Sequence, residues 1–333
     1  MPRLAVATPD GIDARRLGGA LASGPRARTG ASDAALVIAP VRGDALVLGA
    51  FQRARSTFDL ARVASRGDAI ARRSSGGGAV RAREGQVFVA LDLARADSLD
   101  GVADPNRALN RHVRPVLRAL SKLGNVAATY GGRDFVTMNG VPVAWLGVAH
   151  DGRSGAIGVE LLVAVETPFA IDEPLDLAHG AIAPRWLGKT PGTLGAVLRR
   201  DVATAEVVGA LVDTWTDGVG GDVAGFDAGG LRALDPDTEA PPFDALVEEA
   251  IGLIGACLEP GRVALGGELM ASTDALEALG RRLDALGPAA TDDALGGAID
   301  AALGPASGAL LVGVRALPSI AKVVRAAWTA HPR

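Results

Sequence analysis

The sequence predicts a mixed α/β protein of the α+β kind, with mostly antiparallel sheets and flanking helices, followed by a small C-terminal α/β unit. Three observations predict it. Short apolar runs crowd the first 170 residues, an Asn-Gly pair separates two of them, and helical spacing recurs after residue 200.

Taken in order, Ala35–Pro40 and Ala45–Phe51 read as two buried strands split by Arg-Gly-Asp, which predicts a hairpin. Gln86–Leu93 begins with strand alternation. Pro105–Leu123 sets Leu109, Val113, Leu117 and Leu120 at helical spacing, and Pro115 within it predicts a kink or a late start. From Val126 to Glu166 the chain reads as an antiparallel meander. Its turns are Asn139-Gly140, where both residues tolerate positive φ, and Asp151-Gly152. Thr204–Trp215 is a helix with Val207, Leu211 and Trp215 on one face.

Gly218–Pro242 is rich in Gly, Asp and Pro, which divides the chain into 1–217, a linker 218–242, and 243–333. Beyond it, Phe243, Leu246, Val247, Ala250, Ile254 and Leu258 form a helical stripe. A strand (Arg262–Met270), a helix capped by Thr273-Asp274, a helix Asp292–Leu303, a strand Ala309–Val314 and a helix Pro318–Trp328 complete the tail.

A length of 333 residues suggests two domains, and 48% hydrophobic residues suffice for a large core. The formal charge of -4 offers no basic stripe for a phosphate backbone, which argues against nucleic acid. One cysteine excludes an intramolecular disulfide or a CxxC site, and His112, His150, His179 and His331 show no metal-ligand spacing. No run approaches a membrane span and the N-terminus lacks a signal-peptide core, so the expectation is a soluble cytoplasmic protein.

The chemically informative stretch is Ala71–Val80, Ala-Arg-Arg-Ser-Ser-Gly-Gly-Gly-Ala-Val. Three glycines let backbone amides approach an anion, Arg72 or Arg73 supplies charge, and Ser74 and Ser75 supply hydroxyls. That equipment suits a phosphate or carboxylate cradle; a flexible turn is the alternative. No Gly-Lys-Ser/Thr follows, so it is not a Walker loop.

Arg72 to Val80 resembles the signature of the lipoate-protein ligase and octanoyltransferase superfamily, which shares its fold with class II biotin-protein ligases. Val47-Leu48-Gly49-Ala50-Phe51-Gln52 is similar to the family's strand and Gly-x-x-Gln turn. Gly132-Arg133-Asp134-Phe135 is similar to its Arg-Asn-Asp-Leu segment, and Val143 to Val148 to the strand that follows the family lysine. The tail resembles the small accessory domain of two-domain ligases. The resemblance implies a lipoate or octanoate ligand, ATP and Mg as cosubstrate and ion, and a lipoyl-domain protein as partner. By position, Arg73 would contact the acyl carboxylate or phosphate, Gly76, Gly77, Gly78 and Ala79 would offer amides, and Asp134 would help hold nucleotide and magnesium.

The departures bear on activity. The family lysine falls at or beside Pro142, the segment after Val80 reads Arg81-Ala82-Arg83-Glu84-Gly85-Gln86, and Arg133 replaces an asparagine. Ile157-Gly158-Val159-Glu160 lacks the family histidine. Losing one preorganised cation at a developing charge costs roughly 10²- to 10³-fold in rate. Lys189 in the loop 187–192, or Arg81, Arg83 and Arg133, are the candidate replacements. Octanoyltransferase chemistry lacks its nucleophile, because Cys257 is the one cysteine and sits on the predicted helix after residue 243. Three readings follow: an acyl-adenylate-forming ligase, a non-catalytic subunit binding an acyl ligand or lipoyl domain, and a diverged acyltransferase with another nucleophile.

Overall fold

A computed structural model describes residues 4–22, 33–99, 103–171, 189–217, 231–249, 251–314 and 316–331. Residues 218–230 of the expected linker, Leu187 and Gly188 of the lysine loop, and His179 lie outside them.

The first half comprises β1 (Leu4–Ala7), β2 (Ile12–Asp13), α1 (Gly19–Ala22), β3 (Ala34–Arg42), β4 (Asp44–Leu48), α2 (Ala54–Thr57), α3 (Leu60–Arg66), β5 (Ile70–Arg72), β6 (Val80–Arg83) and β7 (Gln86–Leu93). Then come α4 (Pro105–Gly124), β8 (Ala128–Tyr130), β9 (Phe135–Met138), β10 (Val141–Asp151), β11 (Ala156–Ala164), α5 (Leu194–Leu198) and α6 (Thr204–Thr216). The large sheet runs β1-β3-β7-β11-β10-β9-β8, with β2 also on β3; only the β1 and β2 pairings are parallel. A second sheet of three strands, β5-β4-β6, lies against one of its faces.

Strand alternation divides the core. Leu36 and Ile38 point to the face covered by α4 and α6, where Leu109, Val113, Val116, Leu120, Val207 and Leu211 are buried. Each such side chain contributes about 1.5–3 kcal/mol on burial. Val37 and Ala39 point the other way, toward Val47, Ala71 and Val80 of the small sheet. The loop 73–79 therefore leaves the small sheet directly above β10.

The meander β9-β10-β11 forms as expected: Asn139 and Gly140 take φ of 49° and 78°, and Val141 pairs with Met138. The 35–51 hairpin does not. β3 is buried on both faces between β1 and β7, while β4 pairs with β5 and β6, so the chain changes sheets at Gly43. Two short apolar runs specify strands, not their partners. Helix α4 also starts earlier than a Pro115-delayed helix: the Asp104 carboxylate caps the amide of Asn106, and Pro105 occupies the first turn, where no amide is needed.

The C-terminal chain carries β12 (Ala245–Glu248), β13 (Leu253–Glu259), β14 (Arg262–Gly267), β15 (Met270–Ala271), α7 (Thr273–Leu286), α8 (Asp292–Leu303), β16 (Leu311–Val312) and α9 (Pro318–Ala330) around a core of its own. The helix expected over 243–258 is instead the hairpin β12–β13. Reciprocal backbone bonds between Glu249 and Gly252 reverse the chain, and Ile254 and Ala256 alternate inward with period 2. The helical spacing was real, but Gly252 at φ 144° and the strand partner β14 decided the outcome. Cys257 therefore lies in β13, 2% exposed. Among the described residues no helix is long and apolar enough to cross a membrane.

Candidate functional site

The turn after β4 closes as its Gly-x-x-Gln pattern suggests: the Gly49 amide donates to Gln52 Oε1 at 2.8 Å. Onto this turn folds the loop Arg73–Ala79. The Ala50 amide donates to the Ser75 carbonyl, and the Arg73 amide to that of Leu48.

Arg72 and Arg73 point to different tasks. The Arg72 guanidinium donates to the carbonyls of Gly49, Ala50 and Gln52, and to those of Asp235 and Pro236, so it ties the start of the C-terminal segment to the turn. Burial pulls its pKa down, opposed by Asp237 and Asp235. Arg73 is 2% exposed. It donates to Ser75 Oγ and to the carbonyls of Val47, Gly76 and Gly78 at 2.8–3.2 Å. Its guanidinium lies 3.9 Å from the centre of the Trp145 ring. Arg73 is thus the cation beside Gly77, and it donates to the loop's own carbonyls and hydroxyl and to the Val47 carbonyl of β4.

Two of the glycine amides are committed as well. Gly76 donates to the Val148 carbonyl and Gly77 to that of Leu269. Gly77 stands at φ 100°, a conformation that suits glycine, and a Cβ there would also meet Trp145 at 3.3 Å. The Ser74 hydroxyl donates to the Gly18 carbonyl, and the Ser75 amide to Glu160 Oε2 at 3.0 Å. Glu160 is fully buried opposite Gly147; its other oxygen has no hydrogen bond among the described residues. Burial pushes its pKa up, against the Ser75 hydrogen bond and the attraction of Arg73. The Trp145 indole nitrogen is also buried without a hydrogen-bond partner among the described residues.

Of the expected site residues, the structure thus gathers Arg73, Ser75, Gly76, Gly77 and Gly78 around Trp145 and Glu160, while Arg72 and Ser74 face neighbouring segments. Ala79 is buried under the small sheet with Leu46 and Leu48. Asp134 is 3% exposed ahead of β9; its carbonyl accepts from the Leu146 amide, and its charge, after burial, helps raise the pKa of Tyr130. Of the replacement cations, Arg81 pairs with Asp44 and Asp68, and Arg133 sits 5.9 Å from the Phe135 ring centre. Lys189 is exposed, its Nζ 3.7 Å from where a Gly140 Cβ would stand, and the Gly192 amide of the same segment donates to the Pro142 carbonyl. Pro142 itself is buried at the start of β10 and offers no cation.

His150 lies within β10, and its Nδ1 is 2.6 Å from Ser272 Oγ, which also accepts from the Leu310 amide. Sequence reasoning missed the parts of Trp145 and Glu160. For Glu160 a signal existed, a lone acid inside an apolar strand; for Trp145 none did before its contact with Arg73 was known.

Among the described residues no three His, Cys, Asp or Glu side chains converge to hold a metal, and Asp134 presents little surface to one. The residues present do not by themselves make a magnesium site.

A glycine loop is thus held over β10 by an internal arginine, between a large antiparallel sheet and a small three-stranded one. Residues 27–179 match the family model of the lipoyl protein ligase A/B catalytic domain. The matched segment, somewhat under half of the chain, spans β3 to β11 and includes the glycine loop. Solved structures share the fold. P. falciparum LipL1 in complex with lipoate matches with TM-score 0.54 at 13% identity, over 80% of this chain and 85% of that one. Protein Ta0514 from T. acidophilum with bound lipoic acid matches at 0.51 and 18%, over 68% and 88%. Lipoate-protein ligase A bound with ATP matches at 0.51 and 17%, over 68% and 89%. No curated protein matches the chain significantly in sequence.

Proposed function

We propose that this protein is a lipoate-ligase-fold binding subunit, engaging lipoate, octanoate or their adenylate, or the lipoyl domain that carries the acyl group, without the ordinary lysine-assisted transfer. The observation that carries this reading is the buried Pro142, at or beside the position where the resemblance puts the family lysine, together with Arg73 and the Gly76 and Gly77 amides bonding within the chain. An ammonium that polarises the acyl carbonyl contributes about 3–4 kcal/mol to such a step, and a buried proline supplies none of it. In this reading 1–217 holds the ligand, 243–333 is the accessory unit and 218–242 joins them. The ligands named with LipL1 and Ta0514, lipoate and lipoic acid, support the acyl class proposed here.

The test is calorimetry with a lipoyl-adenylate analogue and with apo lipoyl domain, beside mass spectrometry of the domain after incubation with lipoate and ATP. Binding heat without a mass shift is expected. A shifted domain shows the protein to be an active ligase, and the absence of both heat and shift removes the binding reading.

A second reading, an active ligase, is favoured by Lys189, whose segment bonds to Pro142 and whose Nζ reaches the β9–β10 turn. It requires ATP and predicts that Lys189→Ala abolishes any transfer that the wild type shows.

A further inference from the structure

Helix α4 carries Arg107, Arg111, Arg114, Arg118 and Lys122 and not one acidic residue between Pro105 and Gly124. The spacing of four, three, four and four residues places all five on one line of the helix, opposite Leu109, Val113, Val116 and Leu120, which enter the core. At 1.5 Å per residue the row is about 22 Å long. Arg107, Arg114, Arg118 and Lys122 are exposed. Asp104 reaches Arg107 at 3.4 Å, whereas Arg114, Arg118 and Lys122 make no hydrogen bond or ion pair among the described residues. The adjacent α6 offers no relief: Glu206 closes on Arg200, and Asp213 pairs with none of the row. The overall charge of -4 thus conceals a local concentration of positive charge that composition alone argued against.

Like charges three and four residues apart destabilise a helix, so this chain retains a row that works against its own fold. We infer that the outer face of α4 docks an acidic row of carboxylates on a protein partner. The face looks away from the glycine loop, on the other side of the large sheet, and the inference stands independently of what that loop binds. Charge complementarity selects the occupant. A long nucleic acid would also meet the acidic remainder of the chain. A bilayer would call for apolar side chains beside the cations, and those of α4 are turned into the core.

The test uses the full chain and a fluorescein-labelled helical peptide with glutamates spaced three and four residues apart. A short DNA duplex and phosphatidylserine vesicles serve as rival ligands. Anisotropy should report peptide binding that weakens as salt rises. In Arg114→Ala/Arg118→Ala/Lys122→Ala it should be at least roughly tenfold weaker, which is about 1.4 kcal/mol. The same variant should unfold at an equal or higher temperature, because repulsion is removed and alanine favours the helix. Should the triple variant not fold, Arg118→Gln is read in the same way. No peptide binding at low salt, undiminished binding by the variants, or tighter binding of duplex or vesicles would each overturn the inference.

Discussion

Replacing Arg73 tests how the glycine loop is held. Its guanidinium satisfies three loop and strand carbonyls and the Ser75 hydroxyl, stacks on Trp145, and attracts the buried Glu160 carboxyl. Arg73→Ala leaves those carbonyls buried and unpaired at about 1–3 kcal/mol each, although the terms do not add. It also removes the positive charge that attracts the buried Glu160 carboxyl, which adds to the cost. A total near 4–5 kcal/mol is expected, a large share of the roughly 5–15 kcal/mol that holds a domain together. Arg73→Lys keeps the charge without the planar fork, and about half that cost should remain. Urea unfolding at fixed pH measures both.

Glu160 supplies the control. Burial raises its folded pKa above the ordinary glutamate value, so between that value and the raised one the native state binds a proton which the unfolded chain has released. Its contribution therefore falls as pH rises through that window, and Glu160→Gln should flatten the dependence while still accepting from the Ser75 amide. The penalty of Arg73→Ala should shrink as pH falls, because protonation neutralises the carboxyl left without its cation. A cost for Arg73→Ala below about 1 kcal/mol, or exact additivity with Glu160→Gln, would refute the account of a coupled buried pair.

Gly147→Ala puts a Cβ 2.5 Å from the Gly76 carbonyl and Ser75 Oγ, so it should lower the melting temperature clearly, whereas Gly209→Ala, with open space around it, should not. Burial lowers the His150 pKa despite Asp274 and Asp151, so stability should drop as pH falls below about 6.5, where the unfolded chain gains a proton first; His150→Gln should remove that slope in thermal unfolding. Burial also pushes the Cys257 thiol up to about 11, so a thiol reagent should label it in urea and leave the native protein unlabelled at mildly alkaline pH.

The sequence alone determined the mixed α/β class, the β9-β10-β11 meander and the glycine loop, because each rests on neighbours in the chain: period-2 alternation, an Asn-Gly turn, three glycines behind two arginines. Tertiary structure decided what depends on distant partners. β3 and β4 separate into two sheets since pairing is chosen by burial on both faces, and the stripe from Phe243 to Leu258 becomes a hairpin since β14 completes its hydrogen bonds. The loop shows the contrast most sharply. Its residues read as an open cradle for an anion, but Val148, Leu269, Trp145 and Glu160 come from segments far along the chain, and they determine that Arg73 and the Gly76 and Gly77 amides bond inward.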